Sequence, residues 1–166
     1  VDKNSPLWVR AGLIYLTVSF LVVGIWATAD PSGFFDTFPG GDRSWIANDG
    51  PYNAHLMGDA GVGFLAVGVV LLLASAWMDR RVVQAALLAA VVHGVPHLLY
   101  HLRHPNEALS GADSLASNGG LGFGSLLALV LLIYVSRSER SRISMNRSGS
   151  SIPQKHETEK ATTRKV

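Results

Sequence analysis

Four histidines stand in one short stretch, HGVPHLLYHLRH, at positions 93, 97, 101 and 104. A fifth, His55, lies four residues before Asp59 in NAHLMGD. Imidazole and carboxylate are ligands for zinc, copper, iron or nickel. Imidazole also exchanges protons near neutral pH, and a carboxylate can orient it. In a helix, at ~100° per residue, His97 lies about 40° and His101 about 80° from His93, and His104 returns to within ~20°. The four imidazoles would then share one helix face. His55 and Asp59, four apart, would share another.

Several chemistries fit these residues. One is a transition-metal site (zinc, copper or iron) with His97, His101, His104 and Asp59 as ligands. Another is a small-ligand site or proton relay through His55, Asp59, His93 and His97. Bis-histidine haem fits less well, because it wants ligands from facing helices at one depth. A plainer reading also stands: His101 and His104 hydrogen-bond headgroups and loop carbonyls, while His93 and His97 join helices. The chain has no cysteine, which excludes thiolate ligands, cysteine nucleophiles and disulfides.

The elements that must position these residues are apolar. The chain is 48% hydrophobic and 16% charged, a balance that leans toward a membrane protein. Four apolar runs predict helices at about 7–28, 55–78, 82–103 and 119–135. A bilayer core of ~30 Å needs about 20 helical residues, and each run meets or nearly meets that length. Backbone in hydrocarbon must satisfy its own hydrogen bonds, so each run should be a helix. The fold class expected is therefore an all-α membrane protein, a four-helix bundle over residues 1–135. Run one ends in ATAD and has some marks of a signal peptide. Its apolar stretch is long for that role, so it reads as a retained helix.

Charge sets the orientation. Lys3 and Arg10 precede or begin run one, Arg80 and Arg81 join runs two and three, and Arg137, Arg140 and Arg142 follow run four. The other two connections are acidic or balanced. The positive-inside rule then places both termini in the cytoplasm of a bacterial plasma membrane. Residues 136–166 hold eight Lys/Arg against three Asp/Glu, net +5, whereas residues 1–135 hold six against nine, net −3. The basic character belongs to a tail, and nucleic-acid binding is not indicated. That Ser/Arg/Lys-rich tail is expected to be disordered, anchored by the positive-inside effect or touching anionic lipid.

The outer connection from Asp30 to Asn53 is long for a passive loop. It carries Phe34, Phe35, Phe38, Trp45 and Ile46, with turn signals at Pro39-Gly40-Gly41 and Asp49-Gly50-Pro51. It reads either as a folded cap over the outer mouth or as a loop whose aromatics anchor it to headgroups. On helix three, Pro96 should produce a kink. GGLGFGS, with no strand before it, is not a nucleotide fingerprint and reads with Gly61 and Gly68 as close helix packing.

Three of these segments, FFDTFPGG, DGPYNAHLMGDAG and VPHLLYHLRH, resemble a family of small, uncharacterised actinobacterial four-helix membrane proteins that is broadly DoxX-like. The resemblance covers about residues 5–135. His55, Asp59, His97, His101 and His104 match the family pattern. An acidic residue where Ala54 stands and a basic one where Gly58 stands are missing here. The resemblance implies an accessory subunit of a respiratory or redox complex, with a membrane partner or a second copy. The function expected is a non-catalytic membrane protein with a His/Asp-lined outer pocket for a metal or small ligand. A redox enzyme or proton-relay subunit using the same residues, and a purely structural bundle, are the alternatives.

Overall fold

The computed structural model describes residues 6–47 and 50–149, with side chains through Arg137. Four helices are long and apolar enough to cross a membrane. They are α1 (Leu7–Ala29), α3 (Ala54–Trp77), α4 (Arg80–Arg103) and α5 (Gly111–Gly149), of which the spanning part is Gly111–Arg137. The protein is an all-α, multi-pass membrane bundle. A short helix α2 (Pro31–Thr37) and a hairpin of β1 (Pro39–Gly40) and β2 (Arg43–Ser44) fill the connection between α1 and α3. The chain divides after Val135 into two units, of which the first holds the bundle and the cap.

Local chemistry starts each helix. Asp30 caps α2 by accepting from Gly33 N, and Pro31 supplies a preset φ at the first position. Asn53 accepts from Leu56 N at the start of α3. Asp79 accepts from Arg81 N and Val82 N at the start of α4. For α5, the Ser110 hydroxyl accepts from Asp113 N and donates to the Asp113 carboxylate at 2.7 Å. This capping pair starts α5 at Gly111, eight residues earlier than hydropathy alone predicts. At the other end, helical backbone continues to Gly149, so 136–149 is helical where a disordered tail is expected. Residues 150–166 of that tail lie outside the described residues.

The helices are apolar nearly all round, as lipid exposure requires. Ile14, Val18, Val22, Leu72, Leu88, Val92 and Ile133 face outward. The largest fully buried side chains are Leu13, Leu16, Leu71, Leu87, Leu131, Val9, Val83 and Val135. They come from the start of α1, the end of α3, the start of α4 and the later part of α5. The tight apolar core therefore occupies one half of the bundle, remote from the α2–hairpin cap.

On the cap side, α1 and α3 approach through glycine. A Cβ on Gly24 would meet Leu65 N at 2.5 Å, and one on Gly61 would meet Thr28 N at 2.8 Å. Gly68 is similarly close to Leu21. The packing role expected for Gly61 and Gly68 holds. It does not extend to GGLGFGS, where a Cβ on Gly119, Gly120 or Gly124 would meet nothing within 4 Å.

The long connection between α1 and α3 is a folded cap. Trp26, Phe34, Phe38 and Trp45 form a chain of ring contacts, each 4.8–6.1 Å between centroids. Gly40 and Gly41 turn the hairpin at φ 117° and 69°, values glycine adopts without strain. Trp45 Nε1 then donates to Asp113 Oδ1 at 3.1 Å, and Arg43 lies 3.4 Å from the same oxygen. Asn106 donates to the Trp45 carbonyl. The cap is thus tied to the α4–α5 connection and the first turn of α5.

Candidate functional site: an imidazole file on α4

His93, His97 and His101 occupy three successive turns of α4, toward its cap-side end. His93 is the deepest. It lies ten residues before Arg103, or about 15 Å along a helix some 36 Å long. Its ring is held edge-on by Phe64 at 4.3 Å and Phe20 at 5.2 Å. Its Nε2 is buried and has no hydrogen-bond partner. One turn outward, His97 packs against the same Phe64 at 5.9 Å. Its Nε2 lies 3.1 Å from His101 Nε2. One of these nitrogens donates and the other accepts, so a single proton holds the two rings together.

The helix is continuous through Pro96. Pro96 cannot donate to the Val92 carbonyl, which leaves that carbonyl without its helical partner one residue before His93. Gly94 is buried against α5, where a Cβ would meet Ser125 Oγ at 2.7 Å. Ser125 Oγ is itself buried with no hydrogen-bond partner. The middle of the bundle thus holds two unpaired polar atoms, His93 Nε2 and Ser125 Oγ, beyond the leucine-rich half.

His104 does not join the file. The helix ends at Arg103, and His104 is its cap with φ −125° and ψ 71°. Sharing the histidine face would take one more helical residue than exists. The His104 ring instead stacks on Tyr100 at 4.4 Å, and its Nδ1 donates to the Tyr100 carbonyl at 3.0 Å.

His55 and Asp59 do pair, at 3.3 Å, but with side chains 88% and 66% exposed. They do not converge on the α4 imidazoles. Phe64 marks the face of α3 that meets His93 and His97. Counting back at ~100° per residue, His55 lies about 180° from that face and Asp59 about 140°. Both point away from the file. Accordingly, no group of three His, Asp or Glu side chains suited to a metal ion occurs among the described residues. Of His97, His101, His104 and Asp59, the structure brings together only His97 and His101.

Sequence reasoning overlooked Phe20 and Phe64, which wall the deepest imidazole, and Asp113, which anchors the cap. For Asp113 a signal existed. SGAD is a Ser-x-x-Asp capping pattern ahead of an apolar run. For Phe20 and Phe64 there was none, since an aromatic in an apolar helix does not report which neighbour it meets.

Chemically, the file offers imidazole nitrogens in a graded setting, half-buried at His101 and walled by aromatic rings around His93. Such groups accept hydrogen bonds and bind borderline metal ions. Comparison with protein-family models, curated proteins and solved structures finds no match to this chain.

Proposed function

We propose that this chain is a non-catalytic, accessory protein of the bacterial plasma membrane that binds a small ligand or metal ion through the imidazole file. By the positive-inside reading, both termini lie in the cytoplasm, and the cap and the open end of the file face outward. The observation that carries the proposal is the buried, unpartnered Nε2 of His93 at the foot of the file. An unsatisfied polar atom at such a place is costly, and polar groups within membranes usually serve a site. A bound ligand that donates a hydrogen bond would satisfy it.

A proton relay is supported by the His97–His101 hydrogen bond, but only over the outer half. Inward of His93 the buried residues of α4 are Ala90, Leu87, Ala86 and Val83. None of them accepts or donates a proton, and the buried Thr17 and Ser75 hydroxyls of that half each donate to a carbonyl of their own helix, so a blind binding site fits better than a transmembrane path. The proposal extends to membership of a respiratory or redox complex through the DoxX-like resemblance of FFDTFPGG, DGPYNAHLMGDAG and VPHLLYHLRH.

Metal analysis and mass spectrometry of the purified full-length protein test the reading. Wild type and Asp59→Ala should retain the same metal or small molecule, and His97→Ala should lose it. A wild type that retains nothing, or a His97→Ala variant that retains as much, would leave a structural bundle.

A further inference from the structure

We infer that His97 and His101 form a two-imidazole chelate for a divalent transition-metal ion, loaded reversibly from the cap side. The inference rests on the binding function proposed for the file and names its ligand class. The two rings bring their Nε2 atoms together from positions i and i+4 of one helix. The two nitrogens are 3.1 Å apart. Zinc–imidazole bonds of 2.0–2.1 Å at a tetrahedral angle hold two nitrogens ~3.3–3.4 Å apart. The pair is thus within a few tenths of an ångström of the spacing a tetrahedral ion needs, and turning the two rings out of their mutual hydrogen bond aims both lone pairs at the ion.

The hydrogen atom between the rings has somewhere to go. In the metal-free pair, the donor ring carries its proton on Nε2. On metal binding that ring becomes the Nδ1–H tautomer, and both Nε2 lone pairs face the ion. No net proton need leave the protein, and no redox partner is required. With two protein ligands, the remaining positions go to water or an exogenous ligand. A structural zinc site uses four protein ligands, so this is an exchangeable site and not a folding staple. Imidazole selects zinc, copper, nickel and cobalt over magnesium and calcium, which prefer oxygen.

His55 and Asp59 are the natural internal rivals, because they also stand at i and i+4 and are exposed. The test is a cobalt(II) titration of tag-free, full-length protein in detergent, read by the visible d–d spectrum and by bound metal per chain. Wild type should bind one cobalt ion, with magnesium giving no signal. His97→Ala and His101→Ala should each weaken binding at least about tenfold, since loss of even an outer-shell partner costs that much. His55→Ala, Asp59→Ala and His104→Ala should bind as wild type does. Circular dichroism on each variant separates a lost ligand from a lost fold, and His101→Gln, which keeps a polar side chain, should fail as His101→Ala does. Unchanged binding in folded His97→Ala or His101→Ala, or loss in His55→Ala, would overturn the chelate. A wild type that retains an organic molecule through His97 yet gives no cobalt spectrum would drop the metal and keep the binding site. If neither is seen, both readings fall.

Discussion

A ring nitrogen buried without a partner costs roughly 1–3 kcal/mol, and His93 Nε2 is in that position. Phe20 and Phe64 already surround it with aromatic edges. His93→Phe should therefore raise thermal stability by about 1 kcal/mol while abolishing retention of any ligand that hydrogen-bonds to His93 Nε2. Tryptophan-fluorescence melting in detergent, beside mass spectrometry of the purified variant, checks both halves of that expectation. A His93→Phe protein that melts lower would show that the imidazole is structural. At this scale the sequence disclosed a good deal. The His97–His101 contact follows from their spacing of four. The fates of His104, His55 and Asp59 did not follow from spacing. His104 depends on where the helix stops, and the other two depend on how α3 is rotated. An apolar helix carries almost no record of its own rotation, because lipid and core ask for the same side chains.

Between elements, the α1–α3 contact depends on missing side chains. Gly61→Val would drive a branched side chain into the Thr28 and Ala27 backbone, where a Cβ alone would already stand within 2.9 Å. It should destabilise the bundle by about 1–3 kcal/mol. Gly63→Ala, whose Cβ would meet nothing within 4 Å, should be close to neutral. Thermal melting of the pair distinguishes close packing from a general intolerance of α3 to substitution. The hairpin is tied to α5 through one carboxylate. Asp113→Ala removes the partner of Trp45 Nε1, Arg43 and the Ser110 hydroxyl together. Hydrogen–deuterium exchange should rise at the hairpin and in the first turn of α5 and stay unchanged in α3. The cap itself was readable as an aromatic-rich, glycine-turned segment, and its attachment was not. Trp45 and Asp113 stand 68 residues apart, and nothing local in either segment points to the other.

For the molecule as a whole, four crossings were legible because hydrocarbon thickness translates directly into helix length. Orientation remains the expectation drawn from Lys/Arg placement. The chain contains no cysteine, so single introduced thiols report it cleanly. Asp42→Cys in the hairpin turn should react with a membrane-impermeant maleimide in intact cells. Arg81→Cys, at the start of α4, should react only after permeabilisation. The reverse pattern would place the cap inside. The division of the bundle was harder to foresee. Leu and Val are spread over every apolar run, yet the fully buried ones gather in the half remote from the cap.

That sealed half has an electrical consequence. A layer dominated by leucine, valine and alanine is a poor conductor, so, with the cap outside as Lys/Arg placement predicts, a charge bound at the file would cross only part of the membrane potential. Allowing for helix ends that overhang a ~30 Å core, the His97 level lies about a fifth of the way in. A divalent ion held there would gain about 0.9 kcal/mol per 100 mV when the interior is negative. Loading of the file would then follow the energised state of the cell, several-fold tighter on a polarised membrane than on a collapsed one.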